Sequence, residues 1–312
     1  MQIINPDLNI KFMSHRKVAL IFSVLLLVGS LAAVAINGLK FGLDFTGGTL
    51  IEVEFEQVPD MSVIRSQLVN SGFPGANIQN FGSARDVVIR LAPRADTSNA
   101  QLSTAVIQAL DGVDYGKVEQ RRVEFVGPQV GEELAEDGGL AMLFALIGIL
   151  IYVTVRFEKR FSLGAVIALI HDVTIIVGIF AVFQLEFDLT VLAALLAIIG
   201  YSLNDTIVVY DRIRENFRNM RKGTPEDIIN KSINQTLTRT IMTSLTTLVV
   251  VMSLYIFGGP IIHNFAFSLI MGIVVGTYSS IYVASSAALM LGVSKQDLMP
   301  VEVEHDEVDV MP

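Results

Sequence analysis

Few side chains in this chain could do chemistry, and those few sit inside long apolar runs. In the run 189–210, Asp205 follows Asn204 about five residues from the end, ~8 Å in by helix rise. Ala197, Tyr201, Asp205, Val208 and Arg212 share one helical face, so Asp205 need not meet lipid. In the next run the chain has reversed direction, which sets Arg239 at a similar depth. A carboxylate and a guanidinium on consecutive antiparallel helices are natural partners. An acid in an apolar run is costly enough to be a functional candidate by default. Together they would make a site that takes up and releases a proton, with Asn204 beside it. Plainer readings stay open: Arg239 as a side chain snorkelling from a helix end, Asp205 as a structural polar contact. His171-Asp172, midway along the run 162–183, is either a second proton site or a hydrogen-bonded brace.

Around these groups the polar pattern is sparse. Thr240, Thr243, Ser244 and Thr247 give the fifth run a polar stripe suited to helix contacts or a wet path. Ser268, Gly272, Gly276 and Ser280 form a small-xxx-small ridge for close helix packing, or for a subunit seam. No GxxxxGK loop, GxSxG elbow, HExxH or glycine-rich dinucleotide turn is present, so the sequence predicts no enzyme and no direct use of ATP. There is no cysteine, and no His or carboxylate cluster completes a metal shell; the expectation is no metal and no cofactor, with protons as the coupling ion. His263 falls in a loop and His305 in the tail.

The elements that must position these groups are membrane helices. The chain has 312 residues, 52% hydrophobic and 17% charged, with net charge −9, and its mean hydropathy is +0.57. That is too apolar for an ordinary soluble domain, and no basic patch suggests nucleic acid. Apolar runs at 18–36, 138–155, 162–183, 189–210, 238–257 and 265–291 can each cross ~30 Å of hydrocarbon, the last being overlong. The first follows Arg16 and Lys17 and ends near Ala33-Val34-Ala35, which resembles a signal-peptidase site. At ~19 residues it exceeds a cleaved signal's usual core, so it reads as a retained anchor.

Short loops orient the spans. Arg156, Lys159 and Arg160 follow the second; Arg212, Arg214, Arg218, Arg221, Lys222 and Lys231 follow the fourth; the loops 184–188 and 258–264 hold no Lys or Arg. By the positive-inside rule both termini are cytoplasmic. The cytoplasmic parts are then 1–17, a largely helical loop 211–237 with a turn at Gly223-Thr224-Pro225, and an acidic tail 292–312 carrying Asp297, Glu302, Glu304, Asp306, Glu307 and Asp309. The loop's arginines either fix topology alone or also meet anionic lipid headgroups or a partner.

The polar segment 37–137 is then external. Ile51, Val53 and Phe55 alternate with Glu52, Glu54 and Glu56 as in a half-buried strand. A helix over 61–70, strands at 77–81 and 87–91, a helix over 99–110 and a strand over 118–126 follow. The order βαββαβ is that of a ferredoxin-like α+β sandwich. The predicted fold is a polytopic α-helical membrane protein, six transmembrane helices with this domain between helices 1 and 2.

Seven ordered segments resemble the SecF branch of the SecD/SecF family, within the resistance-nodulation-division superfamily. They are Phe41-Gly42-Leu43-Asp44-Phe45-Thr46-Gly47-Gly48-Thr49, Arg156-Phe157-Glu158 and Ala168-Leu169-Ile170-His171-Asp172. Gly200-Tyr201-Ser202-Leu203-Asn204-Asp205-Thr206, Tyr210-Asp211-Arg212-Ile213-Arg214-Glu215-Asn216, Asn234-Gln235-Thr236-Leu237-Thr238-Arg239-Thr240 and Gly276-Thr277-Tyr278-Ser279-Ser280-Ile281-Tyr282 complete the set. The resemblance implies a bacterial inner-membrane protein with a periplasmic domain, forming a heterodimer with SecD about a pseudo-two-fold. It implies work beside the SecYEG channel, with associated factors such as YajC and YidC. There the proton motive force would help draw translocating preprotein out after SecA's ATP-driven step. The family's proton-responsive aspartate falls on Asp205 and its arginine on Arg239, and Asp44, Gly47 and Gly48 fall in its glycine-pair motif. The competing expectations are a proton-coupled exporter of a small or lipidic substrate, an intramembrane protease using Asp172 and Asp205, and a passive scaffold.

Overall fold

The structure, a computed structural model, describes residues 9–93, 99–220 and 222–294. The acidic tail from residue 295 onward, His305 included, and Arg221 lie outside the described residues. Among the described residues six helices are long and apolar enough to cross a membrane. A single turn (Phe12–His15) leads into α1 (Arg16–Asn37). The short strand β1 (Lys40–Phe41) and one-turn helix α2 (Leu43–Thr46) lead to the extramembrane domain.

That domain consists of β2 (Gly48–Phe55), α3 (Met61–Asn70), β3 (Asn77–Phe81), β4 (Ser83–Leu91), α4 (Asn99–Leu110) and β5 (Val118–Val126). Its sheet is antiparallel in the order β3-β4-β2-β5, the split arrangement of a ferredoxin-like sandwich. Burial alternates along β2: Ile51, Val53 and Phe55 pack with Ile64 and Leu68 of α3 and Leu102, Val106 and Leu110 of α4. Glu52 and Glu54 turn to the opposite face, where Glu54 pairs with Arg121. Asp60 starts α3 by accepting from the Ser62 amide at 2.8 Å, a cap that satisfies one of the turn's free donors. Strand β4 begins four residues before the sequence expectation, because Gly82 at φ +80° closes a tight hairpin onto β3.

The remaining helices form the bundle: α5 (Pro128–Arg156), α6 (Lys159–Phe183), α7 (Leu189–Asn219), α8 (Pro225–Phe257), then α9 (His263–Ser279), a π turn (Ser280–Ala284) and α10 (Ser285–Met290) as one last span. A two-residue strand β6 (Glu186–Phe187) precedes α7 and pairs in parallel with β1. Helix α5 starts ten residues before the expected apolar run, since Pro128 fits the first helical position and the polar turns that follow need no membrane. Helix α7 runs well past residue 210, and Thr224 and Asp227 begin α8 as a reciprocal capping box.

Helices α6, α7 and the last span bury about half of their most apolar segments, whereas α1, α5 and α8 leave most of theirs exposed. Helix α7 lies between α6, α8 and α9. The small-residue ridge packs within the chain: a Cβ on Gly272 would strike Ile198 of α7, and one on Gly276 would lie 3.1 Å from Ser202. The ridge serves α7–α9 packing.

Candidate functional site

Helix α7 presents two polar centres to its neighbours, one turn apart. Toward α6 and α9, Ser202 donates to Asp172 Oδ2 at 2.5 Å, and Ser279 donates to the same oxygen at 2.7 Å. The other oxygen, Oδ1, lies 2.8 Å from Nδ1 of His171. Asp172 is 1% exposed and His171 2%, so both are cut off from solvent within the chain. The imidazole leans toward the Tyr278 ring at 6.2 Å, and the Tyr278 hydroxyl donates to the Ala19 carbonyl at 2.8 Å. One carboxylate thereby ties α6 to α7 and α9, and a tyrosine extends the network to α1. A buried carboxylate that accepts this many bonds has the satisfaction burial requires.

Toward α8 the arrangement is less complete. The Tyr201 hydroxyl donates to Ser244 Oγ at 3.3 Å, and Ser244 lies 2.7 Å from Thr277 Oγ1 of α9. With Tyr201 on Ser244, one helical turn further along the antiparallel pair sets Asp205 against Thr240. Both are buried, and Asp205 Oδ2 and Thr240 Oγ1 are buried polar atoms without a hydrogen-bond partner among the described residues.

Arg239 and Asp205 form no ion pair within 4.0 Å among the described residues, contrary to the partnership the sequence suggests. Arg239 precedes Thr240 by one residue, about 100° around the helix, and points out of the bundle, exposed. Asn204 is exposed too, in line with Ala193, Ala197 and Gly200 on the open face of α7. Of the threonine stripe only Thr240 and Ser244 face inward; Thr243 and Thr247 bond back to the carbonyls of Arg239 and Thr243 at 3.1 and 2.8 Å. His263 opens α9 and stacks on Tyr255 at 4.1 Å.

At the domain end of the bundle, Asp44 Oδ2 accepts from the Leu189 amide, the first of α7, at 3.1 Å. Gly47 and Gly48 hold φ of +65° and +124°, and a Cβ on Gly48 would run into the Leu91 carbonyl, so only glycine fits there. Arg90 of β4 pairs with Glu186 of β6 across a cleft of about 920 Å³ between the sheet's charged face and the ends of the membrane helices. Among the described residues no group of three or more His, Cys, Asp or Glu could hold a metal ion. Sequence reading missed Ser202, Ser279 and Tyr278 as partners of the His171-Asp172 pair. Their one signal was position, small polar residues facing inward within apolar runs.

Comparisons with known proteins agree along the whole chain. The family described as "Protein export membrane protein SecD/SecF, C-terminal" matches residues 105–294, and the "SecD/SecF GG Motif" matches 32–57. A Protein translocase subunit SecF of Vibrio alginolyticus is 55% identical over 313 residues, covering 100% of this chain and 99% of that protein. One of Pseudomonas aeruginosa is 48% identical over 305 residues, 97% and 98% of the two chains. The crystal structure of SecDF from Thermus thermophilus superposes with a TM-score of 0.83 at 36% identity, over 92% of this chain and 39% of that longer one. With a family match over more than half its length and near-complete relatives at this identity, the chain belongs to the SecD/SecF family of protein export membrane proteins.

Proposed function

We propose that the chain is an accessory, non-enzymatic subunit of Sec protein export that pairs with a SecD-type subunit and uses the proton motive force to help preprotein cross and leave the inner membrane. The full-length relatives named as SecF translocase subunits support the export role, and the SecDF structure supports the SecD-type partner. The open face of α7, with Ala193, Ala197, Gly200 and Asn204, and the outward Arg239 beside it are where such a partner would lie. SecYEG, SecA, YajC, YidC and the preprotein are proposed as the wider assembly. By the positive-inside rule, Arg156, Lys159 and Arg160 after the second span and the arginines at the end of α7 support cytoplasmic termini and a periplasmic α+β domain.

The observation that carries the proton reading is the partnerless oxygen of buried Asp205 opposite the partnerless hydroxyl of Thr240. A hydroxyl both donates and accepts. Brought within reach, it would donate to the carboxylate or accept from the carboxylic acid, so proton loading changes which bond the pair can form and removes the negative charge of Asp205. One charge crossing ~150 mV supplies about 3.5 kcal/mol, enough to bias a two-state element several-hundred-fold. Asp205→Asn, reconstituted with its SecD-type partner, should assemble normally and lose proton-dependent export. Normal export by that variant refutes the site. A cross-link from the α+β domain to translocating polypeptide supports preprotein over a small or lipidic cargo.

A further inference from the structure

Besides the two spans that flank the α+β domain, a link between that domain and the membrane bundle runs through α2, four residues long, and three features fix it there. Strand β1 lies parallel to β6, and the Gly42 amide donates to the Phe187 carbonyl at 2.8 Å, so the approach to α2 is hydrogen-bonded to the approach to α7. Asp44 then accepts the Leu189 amide from outside α7, while α7's own cap, Asp188, accepts from Val191 at 2.9 Å. On its other side α2 is held by glycines. A Cβ on Gly131 of α5 would sit 2.9 Å from the Gly47 amide nitrogen, and one on Gly138 would sit 3.7 Å from the Phe45 ring. Gly48 is already the first residue of β2, seated against the end of β4. Helix α7 is unbroken from Leu189 to Asn219, and Asp205 is sixteen residues along it, ~24 Å by helix rise.

We propose that Asp44 is the positioning residue that makes α7 and the α+β domain move together, so that a displacement of α7 arising at Asp205 reaches the domain through the Asp44–Leu189 bond. This rests on the proton reading of Asp205 and extends it to the far end of the same helix. The carboxylate suits the task, since it accepts a free amide at the positive end of a helix dipole. No other contact of α2 with α7 itself is needed for the pull. The Arg90–Glu186 pair reaches the strand ahead of α7 rather than α7 itself.

The chain has no cysteine, so cysteines introduced at exposed Arg65 of α3 and Ile261 between α8 and α9 are its only labelling sites. Spin-label distances between them are measured in the complex with its SecD-type partner, in lipid vesicles, with and without Asp205→Asn. The expected result is a shift of the distance distribution by more than about 2 Å, the scale of a helix displacement. That shift should vanish with Asp44→Ala. It should vanish equally with Leu189→Pro, which removes the donor at a position where proline fits a helix. Asp44→Asn keeps an acceptor oxygen and should restore it. A shift that persists in both Asp44→Ala and Leu189→Pro overturns the inference. Failure of both variants to assemble with the partner also overturns it, because the bond is then a folding element. No shift on Asp205→Asn in the otherwise native chain overturns the proton reading instead.

Discussion

Replacing Asp172 by alanine removes the acceptor of three contacts at once, from His171, Ser202 and Ser279 at 2.8, 2.5 and 2.7 Å. Inside a membrane bundle a side-chain hydrogen bond averages about 0.6 kcal/mol and reaches about 1.7. Three of them therefore put Asp172→Ala at about 2–5 kcal/mol less stable than the native chain. Ser279→Ala removes only one and should cost about 0.6–1.7 kcal/mol. Because Ser202 and Ser279 share one oxygen, the double serine variant should depart from additivity. Unfolding of each purified variant in mixed micelles, titrated with denaturing detergent, reads these differences directly. If Asp172→Ala lies within about 0.5 kcal/mol of Ser279→Ala, the carboxylate does not hold the helices together and the reasoning fails. Asp172→Asn adds a second check. It keeps an acceptor oxygen, so a well-assembled variant should retain proton-dependent export. Loss of export without loss of stability would make Asp172 a titrating group rather than a brace.

Two further outcomes concern packing and pH. Gly272→Val inserts side-chain atoms where Ile198 already stands, 2.7 Å from the first added carbon at its Cγ2; it should cost about 1–3 kcal/mol in the same unfolding assay, while a valine at open Gly139 should not. Burial first, and the charge of Arg90 second, hold the Lys40 ammonium below its ordinary value against the pull of Glu186. The folded state therefore penalises charged Lys40 at neutral pH, and the penalty is relieved as pH rises toward 10.5. Lys40→Met should accordingly stabilise the protein near pH 7, with the gain shrinking in alkaline buffer; a gain that grows with pH contradicts the sign.

Sequence pattern reveals those features of the fold that depend on local periodicity. All six spans declare themselves by length and hydropathy, and the alternation of Ile51, Val53 and Phe55 with three glutamates is enough to mark β2. Helix α5 is less legible, because the ten residues from Pro128 carry no apolar run although they are helical. At the site, Asp205 and Asp172 stand out by cost alone. Their surroundings do not: Ser202 and Ser279 are 30 and 107 residues from Asp172, a pairing that only the close approach of α6, α7 and α9 creates. Arg239 shows the opposite limit. Depth along the membrane follows from counting residues, but direction around the helix depends on which face α7 covers, and that face belongs to Thr240.

The π turn at Ser280–Ala284 gives the last span two independent settings. Ahead of it, Gly272 and Gly276 seat the helix on α7. At its end the Ala284 carbonyl receives the Tyr210 hydroxyl at 2.8 Å, and beyond it Ala288 backs onto Gly164 of α6. Each residue in an α-helix advances by about 100°, so the wider turn re-aims everything that follows without a proline. Deleting a single residue there would leave a span that is still apolar and still long enough, but with its lower half facing the wrong neighbour.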